Sequence, residues 1–278
     1  MVPRPVVVPR PISGVRLITL TSDFGLHDPY VGIMKSRIVQ RAPGIPIIDL
    51  THEITPFAPE EAGYWLYCCC GQFPAGTVHV AVVDPGVGSE RAIVVLQAAG
   101  QLFIAPDNGL LGLVATGDVE ARAYQVGESA LLRLGLAPVS ATFHGRDVMA
   151  PLAAELASER LRADQVGPQQ ELQPGRLQRA VAYGDGSVHG VIAVIDRYGN
   201  ALTTIPASSL GGFRRPQVWL AGRQLPLVRT YAEAGAGECV ALINSSSMLE
   251  LAAREASAAQ ALNARAGQAV YVDETLRS

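Results

Sequence analysis

The sequence predicts an α/β protein with a second, mostly β part. From Val15 to about Leu161, short β-rich runs alternate with helical stretches, which argues for a layered α/β domain around a central sheet. Beyond Arg179, five short β candidates follow one another, several separated by Gly, Pro and Asn turns. Between these regions Arg162–Arg179 is polar, with prolines and glycines, as linkers often are. We therefore expect an extension over 1–13, an N-terminal α/β sandwich domain over 14–174, a linker over 175–185 and a smaller β-rich domain over 186–278.

In chain order, Val15–Leu20 reads as a strand entering the loop Thr21-Ser22-Asp23-Phe24-Gly25. A helix is expected from about Tyr30 to Arg41, closed by Ala42-Pro43-Gly44. Ile45–Leu50 holds a strand that starts after Pro46. Ala58–Gln72 reads as a buried helix, with Pro59 near its start and Glu60 and Glu61 in its first turn, where the helix dipole favours acids. Val78–Val83, Ala92–Gln97 and Leu102–Ala105 read as strands, with Ala98-Ala99-Gly100 turning between the last two. A helix over Val148–Leu161 is expected to start near Asp147, a good N-cap residue. The later β candidates are Gly190–Asp196, Ala201–Ile205, Gln217–Leu220, Gln224–Leu227 and Cys239–Ile243, followed by one helical piece, Met248–Leu262.

Composition narrows the function classes. Hydrophobic residues make up 49% of the 278, so the chain folds into a cored globule. A net charge of −3 leaves no basic surplus for a nucleic-acid backbone. No apolar run approaches the roughly 20 residues that span a bilayer, and the proline-broken start lacks the core of a signal peptide, so a cytoplasmic protein is expected. Cys68, Cys69 and Cys70 are contiguous, unsuited to a spaced metal set, and read as small apolar filling on a helix. His27, His52, His79 and His189 are scattered without zinc-ligand spacing, so no metal is expected.

The polar clusters stand out against this apolar background. Asp23 follows a strand; its carboxylate either accepts hydrogen bonds from a sugar diol or caps a turn, and composition leaves both open. Gly86-Val87-Gly88 lacks the third glycine of a dinucleotide loop and precedes a strand, so it reads as a tight turn that leaves Asp84 at a strand's carboxyl end. Pro106-Asp107-Asn108-Gly109 is a turn by every residue it contains. His144, with Arg146 and Asp147, offers either chemistry or a local ion pair and cap. Asp196-Arg197-Tyr198-Gly199-Asn200 reads as a hairpin turn that could also present a carboxylate, an aromatic face and an amide. The hydroxyls of Asn244-Ser245-Ser246-Ser247 either cap the following helix or, with its N-terminus, hold a carboxylate.

Taken together, these pieces resemble the S-adenosyl-L-methionine (SAM) hydroxide adenosyltransferases, relatives of the fluorinases and chlorinases. Seven segments run in family order: Thr21–Gly25 with Asp28 and Tyr30-Val31-Gly32; Pro56-Phe57 with Glu60-Glu61-Ala62; Val83–Gly88 with Arg91; Pro106–Leu111; Thr142–Asp147; Asp196 with Tyr198-Gly199-Asn200; and Asn244-Ser245 with Leu249-Glu250. The resemblance implies a mainly antiparallel C-terminal β-domain and a homotrimer with SAM between one subunit's N-domain and the next subunit's C-domain. It implies hydrolysis of SAM to adenosine and L-methionine, with SAM as substrate and no cofactor. Carried over, Asp84, Arg91 and His144 correspond to the triad that positions water or hydroxide, Asp23 to the ribose-diol ligand, and Phe57 to the aromatic residue beside the ribose. Tyr198 and Asn200 correspond to adenine contacts, Asp196 to the ammonium ligand, and Asp28 and Ser245 to contacts of the methionine end. Tyr30 stands where some relatives have a small hydroxyl residue, and Ser246 where some carry arginine.

Two other functions compete. A halide-using 5′-halo-5′-deoxyadenosine synthase needs a pocket without a competing anion, which Asp84 opposes. A SAM- or adenosine-binding module without turnover has no need of all three triad residues.

Overall fold

A computed structural model describes residues 16–177 and 179–274; the expected extension over 1–13 lies outside them. The chain divides between Arg176 and Leu177 into two compact units, each with its own apolar core.

The first unit runs β1 (Ile18–Ser22), α1 (Tyr30–Arg41), β2 (Ile47–Thr51), α2 (Pro59–Cys69), β3 (Val78–Val82), β4 (Ile93–Ala98), β5 (Gln101–Pro106), α3 (Gly112–Ala115), β6 (Arg122–Gln125), α4 (Glu128–Arg133), α5 (Ala150–Ala157) and β7 (Gln169–Gln170). Its seven strands are ordered β2-β1-β3-β5-β4-β6-β7. β2, β1, β3 and β5 are parallel, and β4, β6 and β7 join antiparallel. β1 and β3 are buried along their whole lengths, as interior parallel strands covered on both faces must be. On one face Ile18, Leu20, Val78, Val80 and Val82 meet Met34 and Ile38 of α1 and Leu152 and Leu156 of α5. On the other, Ala81, Val83, Phe103 and Ala105 meet Ala62 and Leu66 of α2 and Val114 of α3. The result is a three-layer sandwich; fully buried Leu66 and Leu152 each contribute about 1.5–3 kcal/mol relative to exposure.

Several expectations shift. Within the polar stretch Arg162–Arg179, Gln169–Gln170 pair with β6, and the Asp107 carboxylate accepts from Gln170 Nε2 (2.8 Å) and Gln173 N (2.9 Å). The polarity there marks an edge strand bound to a turn rather than a free connection. The helix expected at Asp147 starts earlier, with a π turn over Gly145–Met149 that leads into α5. Asp147 does not cap that helix: its carboxylate reaches back to Ser140 N (3.1 Å) and pairs with Arg146. Cys68 to Cys70 are only partly buried, at the end of α2 and into a 3₁₀ turn; desolvation pushes the Cys68 thiol up to about 12.

His79 is structural. Gln101 donates its amide hydrogens to Cys70 O, Phe73 O and Pro74 O, so Gln101 Oε1 faces His79 Nε2 as an acceptor (3.2 Å). The ring proton therefore sits on Nε2, and Nδ1 accepts from Thr19 Oγ1 (2.7 Å). Burial pushes the imidazole pKa from 6.5 down to about 4. The unfolded chain thus binds this proton first on acidification. Stability from His79 is complete above 6.5, erodes below it, and is lost by about 4, a change on the order of 3 kcal/mol. Urea melts at stepped pH should show this loss in the wild type and not in His79→Gln.

The second unit contains β8 (Val181–Ala182), β9 (Val188–Ile195), β10 (Ala201–Pro206), β11 (Pro216–Leu220), β12 (Arg223–Leu225), β13 (Cys239–Ile243), β14 (Met248–Ala253), α6 (Ala258–Leu262) and β15 (Ala269–Glu274). The main path is β12-β11-β15-β9-β10-β14-β13, with β8 beside β9, and these strands pair antiparallel throughout; a single parallel bridge joins Leu227 to Ala241. Val181 and Ala182, inside the expected linker, are thus paired.

The helix expected over Met248–Leu262 is a correction: its first half is the strand β14, and only Ala258–Leu262 is helical. Leu, Ala and Glu favour a helix, but β14 lies between β10 and β13 with all six residues buried, and ladder pairing on both sides overrides propensity. Ser257 then caps α6, its hydroxyl accepting from Gln260 N (3.2 Å). β15 was not anticipated.

Candidate active site

Because β1, β2 and β3 are parallel, the loops that follow them emerge at the same edge of the sheet, the usual location of sites in open α/β sheets. Asp23 follows β1, Phe57 lies in the loop after β2, and Asp84 follows β3. A cleft of about 740 Å³ opens there, lined by Asp23, Tyr30, Phe57, Asp84 and His144 among others. That volume is typical of small-molecule sites, roughly 300–1,000 Å³.

The Asp84–Arg91 loop consists of short turns: Val87 N bonds to Asp84 O (3.2 Å), Ser89 N to Gly86 O (3.1 Å), and Ser89 Oγ to Gly86 O (2.7 Å). They fold Arg91 back onto Asp84. Arg91 Nε donates to Asp84 Oδ1 (2.9 Å) and Arg91 Nη2 to Asp84 Oδ2, and both side chains are at least nine-tenths buried. Asn108 braces the strand end through Nδ2 to Val83 O (2.9 Å).

Arg91 Nη2 also lies 2.7 Å from His144 Nδ1. Guanidinium has no acceptor, so Nδ1 must accept, and the neutral ring carries its proton on Nε2. Desolvation, and after it the Arg91 charge, hold the His144 pKa below 6.5. The site therefore offers a carboxylate and an imidazole N–H donor, both oriented by one arginine.

Gly88 joins the two loops. It has φ +80°, and a Cβ there would lie 2.4 Å from Ala141 O. Gly88→Ala is expected to push the Asp84 and His144 loops apart, lowering turnover and melting temperature together. A variant with wild-type values of both would show that this approach is not needed.

Asp23 accepts from Phe57 N (3.0 Å), so the two expected ribose residues are linked directly. Phe57 has φ +66°, an uncommon backbone for a bulky residue, and its side chain is exposed. Phe24, Tyr30 and Phe143 form an aromatic wall with centroids 5.6–5.8 Å apart, and Arg146 stacks on Phe143 at 5.2 Å. Phe24 and Phe143 were not foreseen as lining residues, although each sits inside a motif segment; their position beside Asp23 and His144 is the signal. Asp28 is more than half exposed, lies outside the cleft lining, and sits 3.4 Å from His27 Nδ1.

In the second unit Asp196 organises the β9–β10 turn, accepting from Tyr198 N (2.9 Å), Asn200 N (2.8 Å) and Asn200 Nδ2 (3.0 Å). Gly199, with φ +83° and Ser257 Oγ 2.1 Å from where a Cβ would lie, admits no side chain. Tyr198 and Asn200 line a hollow of about 580 Å³ with Tyr231 and Ser257. Tyr231 donates to buried Glu250 (2.7 Å), whose carboxyl is pushed up by desolvation and by the Asp196 charge. Tyr231 was not foreseen here, and Glu250 entered only as part of the Asn244–Glu250 segment, without a role. Ser245 and Ser246 sit in the β13–β14 turn, where Asn244 Oδ1 accepts from Ser246 N (3.0 Å) and Met248 N (3.1 Å). With a strand after them, the reading of these serines as a helix cap or helix-end anion site falls.

Family models now decide the kinship. The SAM hydroxide adenosyltransferase N-terminal domain matches residues 18–167, and the corresponding C-terminal domain matches 190–271. The chain belongs to the SAM hydroxide adenosyltransferase family. It is 39% identical to the (R)-S-adenosyl-L-methionine hydrolase of Thermus thermophilus, covering 92% of this chain and 99% of that one. It is 30% identical to a fluorinase of an Actinoplanes species, over 94% and 99% of the two chains. Among solved structures it is similar to an uncharacterized conserved protein from Thermotoga maritima, with a TM-score of 0.81 at 30% identity over 92% and 99%. The adenosyltransferase fold, an α/β unit followed by an antiparallel β unit, is the one described above. No helix among the described residues is long and apolar enough to cross a membrane.

Proposed function

We propose that the chain hydrolyses SAM to adenosine and L-methionine by direct attack of a held water or hydroxide on the ribose C5′. The observation that carries this reading is the Asp84–Arg91–His144 constellation at the cleft, its Asp84–Arg91 pair buried. Hydrolase names on relatives at 34–39% identity over most of the chain support the reaction, and the fluorinases are more distant.

The sulfonium is already an activated leaving group, so no acid is needed at sulfur. As the O–C5′ bond forms, the C5′–S pair returns to sulfur as a neutral thioether. The task left to the protein is to hold and polarise the nucleophile, and near-attack placement is worth up to about 7–11 kcal/mol. His144 Nε2–H donates to the water oxygen. Asp84, whose oxygens each keep a lone pair beyond the one Arg91 takes, accepts its proton. No cofactor enters this scheme.

Asp23 holds the ribose diol with the lone pairs that Phe57 N leaves open, and Phe57 lies beside the sugar. Tyr198 and Asn200 contact adenine, Asp196 the ammonium, and Asp28, Ser245 and Ser246 the methionine end; Tyr30 borders the cleft. These groups come together in a cytoplasmic homotrimer in which the C-terminal unit of one subunit closes the cleft of its neighbour. Support comes from the exposed apolar side chains on the first unit, Leu26, Ile33, Ile48 and Phe57, which a partner would cover. Sedimentation should give three times the chain mass.

Incubation with SAM in H₂¹⁸O, with and without chloride, tests the reaction by mass spectrometry. Adenosine bearing ¹⁸O at the 5′ position is expected in both. A chloro-nucleoside would turn the reading to halide transfer, which the Asp84 carboxylate opposes; intact SAM would turn it to binding alone.

A further inference from the structure

The scattered histidine His52 is 5% exposed and contacts Ser22 and Gly25, on either side of Asp23 in the chain. Its Nδ1 is 2.7 Å from Ser22 Oγ, and its Nε2 is 3.1 Å from Asp49 Oδ1, by an approach too oblique for a straight hydrogen bond. Asp49 in turn takes Lys35 Nζ at 2.6 Å. A carboxylate beside Nε2 favours the proton there, so Nδ1 is the acceptor and Ser22 donates its hydroxyl hydrogen to it. Ser22 Oγ then has lone pairs for Phe24 N (3.3 Å). Ser22 is 1% exposed, so this Ser–His–Asp arrangement is closed to substrate and is no nucleophile.

What it does is join two loops. Gly25 N bonds to His52 O (2.8 Å), Ile54 N to Ser22 O (3.3 Å), and Phe57 N to the Asp23 carboxylate (3.0 Å). The loop after β1 and the loop after β2 are thus stitched together along their length, with Ser22–His52 as a bond between two side chains one residue before Asp23. Against the desolvation that would raise it, the Lys35 bond and the adjoining His52 ring keep the Asp49 carboxyl below its ordinary value, so its charge stays in place beside Nε2.

We propose that His52 is a positioning residue: through Ser22 and Asp49 it locks the β1 and β2 loops in register and thereby fixes the Asp23 carboxylate for the ribose diol. This rests on the proposed ribose role of Asp23. Asp23 makes the diol hydrogen bonds, and their geometry then depends on a residue that never touches the sugar.

The test compares binding of adenosine and of 2′,3′-dideoxyadenosine, by calorimetry, to the full chain and to His52→Ala, His52→Asn and Ser22→Ala. The wild type is expected to prefer adenosine. In His52→Ala and Ser22→Ala that preference should shrink by about tenfold, with dideoxyadenosine affinity unchanged. His52→Asn, which offers an amide oxygen near the Nδ1 position, should recover part of it, and the KM for SAM should rise more than kcat falls. Should His52→Ala not fold, Ser22→Ala, which removes one oxygen, carries the test. An undiminished preference in the folded variants overturns the proposal, and so does equal weakening of both ligands, the mark of a merely structural role. If the wild type itself shows no preference, the diol role of Asp23 fails first and takes this proposal with it.

Discussion

Asp84→Ala and His144→Ala are each expected to lower kcat for SAM hydrolysis by about 10²–10⁴-fold while leaving SAM affinity nearly unchanged. In the proposed scheme the two groups act on the water, not on the bound nucleoside, so their loss should appear in turnover. Asp84→Ala also leaves the Arg91 guanidinium buried without its carboxylate, which costs about 3–5 kcal/mol of stability. Asp84→Asn, close in shape, separates the two effects: its stability should be nearer the wild type and its turnover still low. The acid limb of the pH–rate profile belongs to His144. Only the neutral ring can accept Arg91 Nη2–H at Nδ1 and so stay oriented, and burial with Arg91 holds its pKa below 6.5, so activity should hold at neutral pH and fall only on acidification below that value. Wild-type turnover in both alanine variants would remove the triad assignment.

Asp23→Ala should act on binding instead. Two diol hydrogen bonds to a charged carboxylate, each about 1.5–3 kcal/mol, correspond to a loss of roughly 10²–10⁴-fold in affinity. The bond to Phe57 N disappears as well, releasing a residue that already holds φ +66°. Calorimetric titration with SAM measures this directly, and an unchanged Kd would reject the diol role.

The sequence made the first unit legible because its signals were local. α1 carries an unbroken helical pattern between Asp28-Pro29 and Ala42-Pro43-Gly44 and spans Tyr30–Arg41 as read. Pro-Gly after a β run left Asp84 at the end of a strand, where it stands. Motif order joined Asp23, Phe57, Asp84 and His144, and parallel pairing of β1, β2 and β3 explains why the first three share one cleft. What stayed hidden depended on partners distant in sequence. β14 reads as a helix until β10 and β13 flank it, and Gln169–Gln170 read as linker until β6 pairs with them. The reach of Asp147 to Ser140, the Tyr231–Glu250 bond and the aromatic wall of Phe24 and Phe143 likewise come from folding, not from spacing.

The bond from Arg91 to His144 has a direction that cannot be reversed. A guanidinium only gives hydrogens, and it keeps its charge at every pH at which the protein is folded. The imidazole is therefore confined to a single tautomer and has no idle arrangement to relax into when adenosine departs. In the proposed cycle Asp84 still sheds the proton it takes from each water, but the imidazole changes neither tautomer nor direction, and the next water meets the same Nε2–H donor as the last.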